Sequence, residues 1–442
     1  MAQRAAQPTA RRLRPSAWRE ALPVLRESET IKAAALAAAY VAAIGLGLVF
    51  TILAARILGD SYGALARLTS FYLILTVPGL ALQAAVAREV AVGDLGGPGA
   101  LAASLRDWMR QIAILGLVLA VASALLRAPL ADLLHVDQEW AAATVPLTAV
   151  LWLAVSVQRG LLQGVRAYRP VGLSIVGEGA ARLVVGVGLG AATSSVTWMW
   201  LGQLVGLITM FVGLAWTLRA RLGAPTAEAR GERLRNLVRM AWVPIVGLTL
   251  LAVLQNTDVI VSGHVFARNQ ASSYAAAAVA AKVPYWVTLG IALYLLPEAT
   301  RRAALGERPV GVLARAFGLL AAAALPALLI FAAAAEPVLR LGFGARLTHA
   351  ADALPILCLA YTMLSAAYLA VQYLLALRRE LFLVVLAAAA ALEIVLLTSV
   401  DVSLTGYAGL VLLAQGAGAL ALLLLAWRAQ PHGVGNPEAV VP

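Results

Sequence analysis

Charge is scarce in this chain, and lysine and cysteine are scarcer still. Only 13% of the 442 residues are charged while 62% are hydrophobic, a balance that excludes a string of soluble domains. One cysteine, Cys358, excludes an internal disulfide and a CxxC metal site, and the four His are scattered. No segment alternates apolar and polar residues as an outer-membrane strand must, which excludes a β-barrel. No polar stretch is long enough to fold as a catalytic domain. The net charge of +12 would point to nucleic acid in a soluble protein. In a chain this apolar it reads as basic loops beside a membrane, and no nucleic-acid partner is expected.

What is present is a series of Ala-, Leu-, Val- and Gly-rich runs at 32–55, 64–86, 109–127, 141–162, 171–191, 196–218, 238–262, 273–297, 312–334, 353–377, 381–400 and 405–427. Each is near the roughly 20 residues that cross a bilayer as a helix. Backbone groups in lipid must bond within their own segment, so the sequence predicts an all-α polytopic membrane protein with about twelve transmembrane helices. Arg4, Arg11, Arg12, Arg14, Arg19, Arg26 and Lys32 precede the first run and translocate poorly, so that arm is expected in the cytoplasm as part of a retained signal anchor. Even-numbered crossings then place the loops with Arg88, Arg106 and Arg110, with Arg159, Arg166 and Arg169, with Arg219 to Arg239 and with Arg301 to Arg315 on the same side. Most of the 34 basic residues thus fall inside, and both termini are read as cytoplasmic. Arginine in place of lysine, with abundant alanine, suggests a high-GC bacterial source and hence a bacterial plasma membrane.

Several features recur at a shift of about 208–212 residues. Ser61-Tyr62 answers Ser273-Tyr274, Ala128-Pro129-Leu130 answers Glu336-Pro337-Val338, and Pro146 answers Pro355. Arg166 answers Arg378, Gln203 answers Gln415, and Leu214-Ala215-Trp216 answers Leu425-Ala426-Trp427. Each half has an even number of spans, so two six-helix lobes of one orientation are expected, related by a pseudo-two-fold along the membrane normal. The divisions are a basic arm (1–31), an N-terminal lobe (32–219), a linker (220–237) marked by Gly223, Pro225, Glu228 and Arg230, a C-terminal lobe (238–428) and a tail (429–442).

A charge at mid-bilayer costs about 2.5–3.5 kcal/mol, so the few that remain are functional candidates. Lys282 lies deep in span eight with Tyr285 and Trp286 one turn on, a cation beside rings suited to phosphate and sugar. It either lines a cavity or pairs with a carboxylate on a neighbouring helix. Glu178 and Arg182 in span five are spaced to pair on one helix face, a packing ion pair with a direct substrate-binding or gating role as the alternative. Glu393 in span eleven has no cation on its own helix and is a candidate coupling proton site. Asn256 and Asp258 sit in an uncommonly polar run of span seven, and Arg56 and Arg67 bracket the outer turn between spans one and two, where they would attract anions or anchor the interface. Gly202 and Gly206 read as close helix packing. Pro284 offers a bend beside Lys282.

The segments Ala55-Arg56-Ile57-Leu58-Gly59-Asp60-Ser61-Tyr62-Gly63, Leu162-Gln163-Gly164-Val165-Arg166-Ala167-Tyr168, and Asn256-Thr257-Asp258-Val259 followed by Ser273-Tyr274-Ala275-Ala276 resemble the polysaccharide flippases of the multidrug, oligosaccharidyl-lipid, polysaccharide (MOP) superfamily. The resemblance implies a V-shaped pair of lobes with a cavity lined mainly by spans one, two, seven and eight, where Arg67, Asp258 and Lys282 fall. It also implies a cationic lumen that receives the phosphate of a polyprenyl-linked glycan while the lipid tail stays in the bilayer. Lipid II flippases of the superfamily usually have fourteen spans and several arginines in the first two helices, which this chain lacks. Cation-coupled drug exporters often carry an acid in span one, where only Tyr40 and Thr51 are polar here. The expected activity is therefore outward flipping of a polyprenyl-diphosphate-linked oligosaccharide for surface polysaccharide assembly, with no catalytic chemistry, cofactor or metal. A coupling ion (H+ or Na+) and a polymerase or other assembly partner stay open, and a coupled multidrug exporter is the alternative.

Overall fold

The computed structural model describes residues 29–223, 234–305, 307 and 310–429. The arm residues Arg4 to Arg26, the linker residues Glu228, Arg230 and Arg233, Arg308, and the tail from 430 on lie outside the described residues. The helices are α1 (Glu29–Leu58), α2 (Tyr62–Val92), α3 (Pro98–Leu125), α4 (Arg127–Leu134), α5 (Glu139–Gly164), α6 (Tyr168–Ala181), α7 (Val187–Thr193) and α8 (Val196–Leu222) in the first half. The second half contains α9 (Leu234–Met240), α10 (Trp242–Val265), α11 (Arg268–Ala281), α12 (Val283–Ala304), α13 (Val310–Phe343), α14 (Leu354–Ala376), α15 (Phe382–Ser399) and α16 (Leu404–Arg428).

Eleven helical stretches among the described residues are long and apolar enough to span a bilayer. The first, Ala34–Val92, runs 59 residues and is divided by a turn at Gly59–Ser61, so it is two spans and the total is twelve. The protein is an all-helical, multi-pass membrane protein.

The two halves repeat one packing scheme. In the first, α1 packs on α6, α2 and α3 on α5, and α5 and α6 on α8. In the second, α10 packs on α15, α12 and α13 on α14, and α14 and α15 on α16. Local geometry repeats as well. Arg166 and Arg378 both adopt left-handed backbone (φ 59 and 54) that ends α5 and α14. The third span breaks at Leu126 before α4, and α13 has non-helical backbone at Ala334, just before Pro337. Lipid offers apolar helices no hydrophobic drive to associate, so close approach between small residues matters. The α8 contact shows this: a Cβ on Gly202 would lie 2.4 Å from the Gly186 Cα.

Between the lobes, α2 runs along α10 and α11, while α1 has no comparable contact with α11 or α12. Polar ties gather at the end that carries Gly59–Ser61. Ser272 Oγ donates to the Asp60 carbonyl (2.6 Å) and accepts from the Gly63 amide (2.9 Å). Arg56 donates to the carbonyls of Leu341 and Gly342, Arg268 pairs with Asp137, and His264 bonds the Leu133 carbonyl (2.9 Å). The lobes are joined at this end, called the tied end below.

Candidate functional site

Between the lobes lies a cavity of about 440 Å³, within the range of small-ligand sites. α1 contributes Tyr40, Ile44, Gly47, Leu48 and Thr51; α2 contributes Tyr62, Ser70, Tyr72 and Gln83. α5 supplies Trp152 and Arg159, α6 supplies Glu178, the turn that follows α6 in the same span supplies Arg182, and α8 supplies Gln203. The second lobe adds Gln255 and Asn256 from α10, Lys282, and Trp286 from α12. Lining therefore extends beyond spans one, two, seven and eight into spans four to six, and leans toward the first lobe.

Two of the cations that line this space, Arg182 of the first lobe and Lys282 of the second, sit where a helix is irregular. Lys282 separates α11 from α12. Pro284, two residues on, has no N–H to continue the α11 ladder, so the helix restarts and presents Lys282 at the break. Its Nζ reaches Asn256 Oδ1 (3.4 Å) and lies 5.1 Å from the Tyr361 ring, and the side chain is 6% exposed. Arg182 opens a single π-helical turn, Arg182–Gly186, between α6 and α7. Such turns displace side chains from the α-helical register and recur at functional sites. Its guanidinium lies 5.0 Å from the Phe50 ring and donates to Gln203 Oε1 (3.2 Å).

Glu178 does not pair with Arg182, contrary to the spacing argument. Its Oε2 accepts from Arg159 (2.9 Å) and its Oε1 from Gln203 (3.1 Å). Tertiary packing overrides the local i,i+4 choice because the α5 guanidinium is held rigidly against α6. Arg159, which the sequence groups with the basic residues of the inner side, is 2% exposed inside the first lobe. A signal was available: Trp152, Ser156, Arg159 and Gln163 fall on one face of α5, a polar stripe continuing an apolar helix.

Of the other candidates, Asn256 and Trp286 line the cavity, but five do not. Asp258 is fully buried in the second lobe, accepting from Tyr361 (2.7 Å) and Tyr274 (2.9 Å). Tyr285 turns away to an edge contact with Tyr368, ring centres 5.7 Å apart. Glu393 is fully buried in the second lobe, beside Gln415. Arg67 donates to the carbonyls of Leu134 and His135 (both 2.8 Å), and Arg56 reaches α13; both serve the tied end. A helical wheel cannot separate these two arginines from cavity residues, since it carries no information on which lobe comes near.

At the tied end His135 and His264 face each other from opposite lobes with ring centres 5.0 Å apart. Burial, then the charges of His264, Arg67 and Arg268, hold His135 below its usual 6.5, outweighing Asp137. A group held low in the tied state binds its proton more readily once the lobes part, so tying is strongest above about pH 6.5 and weakens as pH falls through that value. Spin labels flanking this end should therefore move apart between about pH 7.5 and about pH 5.5. A distance unchanged with pH, or a change that persists in His135→Gln, would remove His135 from the tie.

The family match decides the relationship. The chain fits the model of the family described as polysaccharide biosynthesis protein over residues 107–352, more than half its length. It belongs to that family. No curated protein matches the chain. Solved structures of similar fold include the lipid II flippase MurJ in an inward closed conformation, at TM-score 0.69 and 13% identity over 90% of this chain and 88% of that one. An inward-facing multidrug resistance MATE family transporter of the MOP superfamily gives TM-score 0.67 at 13% identity, covering 86% and 93%. A MOP superfamily transporter from Pyrococcus furiosus, described by the reverse polarity of its binding pocket, gives TM-score 0.54 at 14% identity, covering 92% and 97%. At such identities the likeness is one of fold, and it is the MOP fold that the sequence resemblance implied. The chain is thus a membrane protein of the polysaccharide biosynthesis family with this fold, and its cavity carries Arg159, Arg182 and Lys282 against one lining carboxylate, Glu178.

Proposed function

We propose that this polysaccharide biosynthesis protein is an alternating-access flippase that moves a polyprenyl-diphosphate-linked oligosaccharide from the inner to the outer leaflet of a bacterial plasma membrane. The observation that carries this reading is a single cavity into which Arg182 and Lys282 project from opposite lobes. A diphosphate bridging them would be bound from both sides and would share its charge between the lobes. Trp152, Trp286 and Tyr72 give flat surfaces that suit sugar rings. Tyr40, Ile44 and Leu48 line the cavity yet are at least 36% exposed, and α1 stands clear of α11 and α12. That side lets a lipid tail remain in the bilayer while the head group enters.

The positive-inside reading puts the tied end outside, which makes the described state the one that loads from the cytoplasm. Moving one net negative charge out of an inside-negative cell gains about 2.3 kcal/mol per 100 mV, so the potential alone favours export. A coupling ion, H+ or Na+, is not required, and the reading needs no catalytic residue. The same fold serves multidrug transporters, but a cavity with three basic residues against one acid disfavours cationic drugs.

The test is translocation of a fluorescent polyprenyl-diphosphate oligosaccharide in proteoliposomes under an imposed potential. Losing a charge-assisted bond to phosphate costs about 1.5–3 kcal/mol, so Arg182→Ala and Lys282→Ala should each slow flipping roughly ten- to hundredfold. Lys282→Arg should retain part of the rate. Normal flipping by both alanine variants would sink the assignment, and efflux of a cationic dye under a proton gradient without glycan flipping would move the protein to drug export.

A further inference from the structure

The first lobe holds two arginines and one carboxylate at the cavity, and the way they divide decides which cation is available. Arg159 is engaged through two of its three nitrogens: its Nε donates to Ser174 Oγ (2.9 Å), while Nη2 donates to the Ser174 carbonyl (3.0 Å) and to Glu178 (2.9 Å). Its guanidinium also stacks 5.3 Å from the Trp152 ring. Glu178 has both oxygens taken, by Arg159 and Gln203. Arg182, four residues after Glu178 and its nearest helical neighbour in sequence, is left with Gln203 as its hydrogen-bond acceptor, and its Nε is buried without one. Space is reserved for this guanidinium: a Cβ on Gly47 of α1 would come within 2.8 Å of Arg182 Nη2.

We propose that Arg159 is a positioning residue: by holding Glu178, it keeps Arg182 out of a carboxylate ion pair and open as the anion-receiving group of the first lobe. This rests on the flippase reading and deepens it, since it assigns the diphosphate contact in the first lobe to Arg182. The backbone from Glu178 to Arg182 stays α-helical, the Arg182 N–H donating to the Glu178 carbonyl, so it is the engagement of Glu178 by Arg159 and Gln203, and not helix register, that keeps the i,i+4 pair from forming. Were Arg159 lost, the freed Glu178 carboxylate would have one neighbouring cation to turn to, and that cation is Arg182. The cargo would then compete with an intramolecular carboxylate.

Binding of farnesyl diphosphate to the full chain in nanodiscs, measured by calorimetry, tests this. Arg159→Gln should weaken binding about tenfold or more, because a charge-assisted pair now occupies Arg182. Arg159→Gln combined with Glu178→Gln removes both opposite charges and should bring the Kd back to within about threefold of native. Glu178→Gln alone should bind as tightly as native or tighter. A double variant as weak as Arg159→Gln, or a Glu178→Gln variant that binds more weakly than native, would overturn the role assigned to Arg159. If Arg159→Gln does not yield monodisperse protein, the Glu178→Gln measurement decides by itself. Native protein that binds the diphosphate while the double variant fails refutes only this assignment. Native protein that does not bind it refutes both this assignment and the lipid-linked cargo.

Discussion

Joining residues 137 and 268 covalently is expected to stop transport. Asp137 and Arg268 form an ion pair across the lobes at the tied end, and with side chains 70% and 61% exposed both positions are open to reagents from water. Cysteines at these positions can be bridged by a short bis-maleimide, while the native Cys358 is buried in the second lobe. Breaking the ion pair itself should matter little, since exposed pairs contribute about 0–1 kcal/mol. A covalent tie is a different perturbation. It adds to the Ser272, Arg56 and His264 contacts a bond that thermal motion does not break, so the tied end cannot open and a cycle requiring that opening stalls. Flipping should fall by at least about hundredfold, as for any rate-limiting conformational step that is blocked. A flexible linker several times longer should restore it. Cross-linked protein that turns over at the native rate would show that cargo does not leave by this end.

The second large effect is expected on stability. Asp258, on α10, reaches three other helices from the middle of the second lobe: its Oδ2 accepts from Tyr274 of α11 and Tyr361 of α14, and its backbone carbonyl accepts from Tyr407 of α16 (2.9 Å). Lys282 lies within its field at the cavity wall. Asp258→Ala leaves two buried hydroxyls without their acceptor and takes from the buried Lys282 the stronger of its two carboxylate neighbours, leaving Glu393. Each orphaned donor costs about 1–3 kcal/mol, and a buried charge that loses a partner up to about 3–5 kcal/mol. The alanine variant should lose monodisperse protein in size exclusion and melt on the order of 10 °C lower. Asp258→Asn keeps an acceptor for the tyrosines and should lose much less. An alanine variant that melts with the native protein would show that the tyrosines find other partners. Asp258 is then a structural hub, and the cavity cation beside it depends on that hub for its placement.

The site was partly legible before any coordinates. Lys282, Arg182 and Asn256 stood out because charge or polarity within an apolar run is costly in lipid, and Trp286 because its ring follows Lys282 by one turn; all four line one cavity. The repeat was legible too, since matched residues such as Arg166 and Arg378 turn the chain in the same way. Illegible was the pairing of like with unlike charge. Spacing along α6 offered Arg182 to Glu178, but the nearer guanidinium came from α5, nineteen residues back in sequence. Arg159 escaped notice because it sits one turn from the end of a span, where arginines usually reach the interface.

By itself the sequence determined the class and crossings of this protein, because a backbone in lipid must close its hydrogen bonds within each helix and long apolar runs leave no other choice. It also determined the doubling into lobes and the presence of a few buried charges. Only the tertiary structure decided which of those charges meet. Arg56 and Arg67 were drawn to the tied end, Asp258 and Glu393 were enclosed in the second lobe, and Arg159, Arg182 and Lys282 were left around the cavity. The physical reason is that a helix specifies which residues share a face, while what that face meets depends on how separate helices pack, through contacts between residues far apart in the chain.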